Sequence, residues 1–347
     1  MKKLVIVTDT WHPQVNGVVT CIENILPSLE KNNFEVTIIH PGLFWTVPLF
    51  FYPEIRLSPI PYRKMKKMLA ELAPDYIHII TEGPLGLSAR ILCQQKEWKF
   101  TTSYHTNFSQ YIQMRIGPLF GTVNAYITWF HNAGSTTMVG TDSLKKELSE
   151  YGVKNISIWP LGVDTKRFTK NEDTAHMPDE IQHLAKPIFA YFGRVAVEKN
   201  IEEFLQLTLP GTKLVIGEGP QQESLQEKYP DTIFTGYKQG KDLIDWLSHC
   251  NVLVFPSLTD TFGLVIIEAL AMGIPVAAHD VTGPKDIISQ GVDGYLGDNL
   301  AQAAIQCLKL NPSACRQKAM QYSWEHSTEQ FMSHVVPAHE PETDELT

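Results

Sequence analysis

Two successive sets of short apolar runs, each run followed by a helical pattern, constrain the fold of this chain more than any other feature. In the first set, 3–7, 35–39, 76–80, 100–103 and 136–139 read as strands, with helical spacing of apolar residues over 18–30, 65–72, 85–93 and 143–151. The second set has strands at 188–192, 213–216, 233–235, 251–255 and 275–278, and helices at 201–207, 221–228, 241–250, 264–272 and 300–310. Such alternation predicts parallel sheets, because the crossover between parallel strands is long enough to form a helix and covers a sheet face. The expected fold class is α/β, with two tandem Rossmann-like domains facing across a cleft. Expected boundaries are 1–165 and 166–325, then a helix over 326–336 that crosses back to the first domain. An acidic tail over 337–347 is expected to be disordered. Ligands of such sheets bind beyond the carboxyl ends of the strands, so the strand-end loops are the places to search for chemistry.

Composition narrows the class. The 347 residues are 43% hydrophobic and 19% charged, enough for two cores. No apolar run approaches the 18 residues of a membrane-spanning helix, and the start of the chain lacks the pattern of a secretory leader. The five cysteines are scattered without a Cys-x-x-Cys pair, which predicts a reducing, cytoplasmic setting and neither a disulfide framework nor a zinc site. A formal net charge of −9 argues against a nucleic-acid partner. The charge is unevenly spread: 15 basic against 12 acidic residues up to Pro160, then 14 against 26. A basic half joined to an acidic half suggests different partners for the two.

The most specific stretch runs from Phe255 to Val276. A buried-type strand ends at Pro256-Ser257, a polar turn carries Asp260, and Thr261 is the expected N-cap of the helix that follows. From Leu264 to Met272 the only polar side chain is Glu268. A carboxylate in such a helix either pairs within the core or is aimed at ligand hydroxyls. Backbone amides at Phe262, Gly263 and Leu264 would suit an anion or a sugar oxygen. Upstream, Gly193-Arg194 and Lys199 lie on a strand-to-helix turn, where two cations can neutralise a diphosphate.

This frame resembles the retaining nucleotide-sugar glycosyltransferases of family four, which have the two-Rossmann fold called GT-B. The shared elements are Pro256-Ser257, Phe262-Gly263, Glu268-Ala269 and Gly273-Ile274-Pro275-Val276, with two acids at the family spacing. The first acid here is Asp260 where the family has Glu. The resemblance extends over most of the chain and implies roles. Glu268 would bind ribose hydroxyls, Asp260 a hexose hydroxyl, and Arg194 and Lys199 the donor diphosphate. Gly217 belongs to the Gly-x-Gly-Pro turn 217–220, and Tyr237 would flank the nucleotide base unless it is an exposed tyrosine without a role. Leu161-Gly162-Val163-Asp164 and Phe168 match the family's domain crossover.

In the first half, Gly17 opens a helix after the strand 3–7, and the resemblance places it beside the diphosphate. His12 and Asn16 are candidates for the acceptor side. His105, in Tyr104-His105-Thr106-Asn107 after the strand 100–103, stands where the family keeps a histidine near the transferred hexose. No Gly-x-Gly-x-x-Gly, no nucleophile triad and no metal-ligand spacing is present, so neither cofactor nor metal is expected. The nucleotide sugar is then a substrate.

Acceptor choice would fall to the first half. Residues 43–52 hold five aromatics, including Phe44, Trp45, Phe50 and Phe51, and Arg63, Lys64, Lys66 and Lys67 follow. On a helix Met65, Met68, Leu69 and Leu72 share a face beside these cations. That pattern fits an interfacial helix on anionic lipid, or an ordinary core helix with a basic edge. The closest resemblance is to bacterial diacylglycerol glycosyltransferases, and related motifs occur in GDP-mannose-dependent mannosyltransferases. The expected activity is therefore transfer of a hexose, with retention, from a UDP-sugar to a lipid such as diacylglycerol. That work would be done at the inner face of the membrane. The alternatives are a GDP-mannose-dependent mannosyltransferase, a nucleotide-sugar epimerase, and a non-catalytic binding protein.

Overall fold

The computed structural model describes residues 1–14, 16–49, 52–105, 120–170 and 178–339. Val15, Phe50, Phe51, Thr106, Asn107, most of the join 169–178 and the acidic stretch 340–347 lie outside the described residues. The chain forms two compact units: Met1–Pro160 with Trp324–Thr347, and Leu161–Ser323.

Unit 1 is built on a six-stranded parallel sheet in the order β2-β1-β5-β6-β7-β8. Its strands are β1 (Lys2–Val7), β2 (Phe34–Ile39), β5 (Tyr76–Ile79), β6 (Thr101–Tyr104), β7 (Thr136–Val139) and β8 (Ile156–Ile158). Leu4 to Val7 are at most 1% exposed, as a strand covered on both faces requires. A separate antiparallel pair, β3 (Val47–Leu49) with β4 (Tyr52–Leu57), occupies the aromatic segment. The helix Trp324–His334 belongs to this unit. The Trp159 indole N–H donates to Ser327 O and Oγ at 3.1 Å, and Phe331 packs on Trp159 with ring centroids 4.9 Å apart.

Unit 2 repeats the design with order β11-β10-β9-β12-β13-β14. Its strands are β9 (Ile188–Phe192), β10 (Thr212–Ile216), β11 (Ile233–Phe234), β12 (Val252–Phe255), β13 (Val276–Ala278) and β14 (Gly294–Leu296). One core forms where Phe189, Tyr191 and Val215 of the sheet meet Ile201, Phe204 and Leu300 of the covering helices.

Four expectations change. The helix after β12 begins at Leu264 with Gly263, not Thr261, at its N-cap. Gly263 has φ +91°, and that left-handed step turns the chain into the helix two residues past Thr261. The basic helix runs Tyr62–Leu72, and its apolar face is committed: Met65 and Leu69 are fully buried in the unit 1 core, with Met68 and Leu72 packed against it. It cannot insert that face into lipid, while Arg63, Lys64, Lys66 and Lys67 remain exposed. Residues 337–339 are not free tail: Pro337 bridges Tyr76, and the Ala338 amide donates to Asp75 O at 2.7 Å. The helix expected over 326–336 runs Trp324–His334, and a further helix, Pro312–Ala319, precedes it.

Candidate active site

Each sheet reverses its strand order once, between β1 and β5 in unit 1 and between β9 and β12 in unit 2. Crevices at such reversals are where doubly wound sheets take ligands. The two crevices carry different chemistry.

In unit 1, β1 ends on Thr8-Asp9. The buried Asp9 carboxylate accepts from the amides of Leu85 and Gly86 at 2.8 and 3.2 Å and from Thr81 Oγ at 2.9 Å. It thereby occupies the N-terminus of the helix Pro84–Gln95, where an external anion would otherwise bind. Burial lifts its pKa to about 6 against these hydrogen bonds. Further along the chain, Gly17 is the first residue of the helix Gly17–Lys31, and Asn16 caps that helix by accepting from Val18 and Val19 at 3.1 Å. Asn16 Nδ2 donates to Thr10 Oγ at 2.7 Å, so both ends of this amide are used locally. His12 lies in the same loop, half exposed, with Nε2 2.6 Å from Glu23.

His105 directly follows β6. Its ring meets Trp159 edge-on at 5.3 Å, and burial lowers its pKa to about 4, so the imidazole is neutral at pH 7. Behind it, His78 is buried between Thr101 Oγ and Ser103 Oγ at 2.9 and 3.1 Å, and stays neutral for the same reason.

In unit 2, three strand-end loops converge. Gly193 and Arg194 leave β9, and Gly217 leaves β10. At Gly217 a side chain is excluded, since a Cβ would come within 1.9 Å of Gly193 O. The Arg194 guanidinium is 3.7 Å from the buried Glu198 carboxylate. Lys199 ends a short 3-10 turn, Val197–Lys199, and its Nζ is 2.5 Å from Asp260 Oδ1 on the loop after β12. Asp260 Oδ2 is buried with no hydrogen-bond partner. A buried acceptor left in this state costs about 1–3 kcal/mol, which a ligand hydroxyl would recover. The helix Leu264–Ala271 opens at Gly263, which has no side chain, and carries no acid in its first turn.

Glu268 lies on the second turn of that helix. It is partly accessible, yet crowding by protein pushes its pKa up to about 7, with Arg167 pulling the other way. A carboxylate that is reachable but poorly hydrated is suited to accept hydroxyl donors. Phe262 is buried against Tyr322, which leaves the backbone of 262–264 as its contribution to the loop. Tyr237, after β11, is 44% exposed. Thus unit 2 gathers Arg194, Lys199, Gly217, Asp260, Phe262, Gly263, Leu264 and Glu268 around one sheet reversal. Gly17, His12, Asn16 and His105 lie on unit 1. Sequence reasoning did not single out Glu198, although its i, i+4 spacing from Arg194 was a signal. It also passed over Asp9, whose partners lie more than 70 residues away. Among the described residues no group of three His, Cys, Asp or Glu side chains could hold a metal ion.

Two family models match side by side: "Glycosyltransferase Family 4" over residues 15–167 and "Glycosyl transferases group 1" over 186–310. The chain is 29% identical over 316 residues to a GDP-mannose-dependent alpha-mannosyltransferase of Corynebacterium glutamicum, covering 85% of this chain and 76% of that one. It is 26% identical over 369 residues to the alpha-monoglucosyldiacylglycerol synthase of Streptococcus pneumoniae, covering 94% and 83%. Among solved structures, sucrose-phosphate synthase from Thermosynechococcus elongatus superposes with a TM-score of 0.75 at 20% identity, covering 96% and 98%.

Proposed function

Because the chain belongs to the family-four glycosyltransferases of GT-B fold, we propose that it transfers a hexose from a UDP-sugar such as UDP-glucose to a lipid hydroxyl such as that of diacylglycerol, with retention of configuration. The observation that carries this reading is the reversal point of unit 2, where Lys199 on the loop after β9 pairs with Asp260 on the loop after β12 and Arg194 lies on the same loop as Lys199. Glu268 holds the ribose hydroxyls. Arg194 and Lys199 hold the diphosphate, and their charge counts most as the bond from the anomeric carbon to phosphate breaks and the leaving group gains charge. Asp260 is tied to Lys199 by Oδ1 and offers the unpartnered Oδ2 to a hexose hydroxyl. A carboxylate so engaged is a poor nucleophile. We therefore assign same-face attack by the acceptor, with the departing phosphate taking its proton. His105, neutral at pH 7, serves the hexose as a hydrogen-bonding group. The positive charge that a divalent ion would supply comes from Arg194 and Lys199, so activity is expected to survive EDTA.

Arg63, Lys64, Lys66 and Lys67 form an exposed basic edge, with Trp45 70% and Ile60 82% exposed nearby in sequence. These two side chains, rather than the buried face of the helix, are available to enter the headgroup layer at the inner face of the membrane. A second reading is transfer of mannose from GDP-mannose, favoured by the 29% identical relative of that name. A donor panel of UDP-glucose, UDP-galactose, UDP-glucuronate and GDP-mannose, incubated with diacylglycerol vesicles, separates the two. NMR of the product's anomeric proton reports retention, and an inverted product contradicts the mechanism. No transfer to diacylglycerol from any of the four donors contradicts the first reading, and no binding of GDP-mannose in calorimetry contradicts the second.

A further inference from the structure

The turn that carries Lys199 is braced by three side chains, those of Asn200, Glu203 and His279. Asn200 directly follows Lys199, in the left-handed conformation at φ +50°, which costs a non-glycine residue free energy unless its surroundings fix it. Its Nδ2 donates to Glu203 Oε2 at 2.6 Å and to Pro256 O at 3.2 Å. The Glu203 carboxylate is held in turn by His279 Nε2, 3.0 Å from both oxygens. His279 directly follows β13, and Pro256 directly follows β12. The clamp therefore ties the Lys199 turn to the loop that carries Asp260 and to the next strand of the sheet. Ser257 and Thr259 add hydroxyl bonds to Glu198 O at 3.4 and 3.3 Å. None of Asn200, Glu203 or His279 stands among the groups assigned to the donor.

We propose that Asn200, Glu203 and His279 are positioning residues that set the distance of Lys199 from the donor diphosphate. The inference rests on the reading of Lys199 given above. Its effect is indirect, because an ammonium on a four-carbon stem acts as a point charge whose benefit depends on where its backbone is anchored.

Asn200→Gly is the informative variant. Glycine keeps the left-handed turn without strain, so the fold survives, while both side-chain hydrogen bonds are lost. The expected result is a loss in kcat/KM with UDP-glucose or GDP-mannose of roughly ten- to a hundredfold, the scale for small misplacement of a catalytic group. The thermal midpoint should be unchanged, and calorimetric affinity for UDP or GDP should weaken in parallel. Glu203→Ala should behave similarly, and Glu203→Gln, whose amide oxygen still accepts from Asn200, should recover most of that loss.

The decisive arm adds Asn200→Gly to Lys199→Ala. If the clamp works through Lys199, the second change costs no more than about twofold, as expected of residues acting as a unit. An Asn200→Gly enzyme within twofold of the parent, or a loss that multiplies with that of Lys199→Ala, overturns the clamp. Near-normal turnover in Lys199→Ala alone overturns instead the reading of the site on which it rests.

Discussion

The two sheets share a topology, and the contrast lies in what meets the helix at each reversal of strand order. In unit 1 the chain fills the place itself: Asp9 accepts from the first amides of the helix Pro84–Gln95. In unit 2 the corresponding loop ends in the left-handed Gly263, which has no side chain with which to cap the helix Leu264–Ala271, and that helix has no acid in its first turn. There Lys199 pairs with Asp260, Arg194 pairs with Glu198 on the loop after β9, and Glu268 stands on the helix itself. The same architecture thus sets a carboxylate on the helix start in one unit, and in the other a glycine with two cations on a neighbouring loop. The fold alone does not say which unit takes a nucleotide, and this contrast is the ground on which unit 2 is proposed.

The largest effect should come from Lys199→Ala. Transfer should fall by about a hundredfold or more, the scale for removing one charge-stabilising donor, with the protein still folded. Radiometric transfer assays alongside circular dichroism check it. Glu268→Ala comes next: nucleotide affinity should drop on the order of tenfold or more through loss of hydrogen bonds to a charged acceptor, measurable by calorimetry with UDP and GDP.

Asp9→Ala should do the opposite of Lys199→Ala. It removes a helix cap and a buried carboxylate, costing about 1–3 kcal/mol in urea unfolding of unit 1, while nucleotide affinity stays within about threefold.

The pH dependence should also separate the units. With Glu268 near pKa 7 in the free protein, the ionised form that accepts ribose hydroxyls is scarce at pH 6. Donor affinity should therefore rise about tenfold from pH 6 to pH 8, and binding near neutrality should release a proton. The same group weakens the fold as pH rises. Its folded pKa lies above the unfolded value, so the native state holds the proton more tightly and stability falls between about pH 4.5 and 7. In Glu268→Gln this contribution and the pH dependence of binding should both vanish. The smallest effect on the nucleotide site should come from reversing charge at Lys64, Lys66 and Lys67. UDP and GDP affinity should not change, while co-sedimentation with anionic vesicles is lost.

Much of this was readable in the sequence because buried parallel strands are written as unbroken apolar runs. Ile188–Phe192 and Thr136–Val139 keep the limits that their composition predicts. The three-residue edge strands Ile156–Ile158 and Gly294–Leu296 were not readable, being too short to carry a period. The helix Tyr62–Leu72 could be placed, but the destination of its apolar face could not: lipid and core ask for the same residues, and only packing distinguishes them. At the site, Glu268 stood out as the one polar side chain of an apolar helix, and Arg194, Lys199 and Asp260 through the strand-end turns and the family frame that carry them. The groups that hold them did not. Glu203 and His279 are 76 positions apart, and Asp9 meets Leu85 across the same number. Contacts at that separation leave no local pattern.

Calorimetric titration of UDP and GDP into the parent chain, Lys199→Ala and Asp9→Ala tests the contrast between the two reversal points most directly. The account predicts that Lys199→Ala weakens the better-binding nucleotide by about tenfold or more, the scale of a lost charge-assisted contact, while Asp9→Ala leaves it within about threefold. Unchanged binding in Lys199→Ala together with lost binding in a folded Asp9→Ala would place the nucleotide on unit 1 and contradict it.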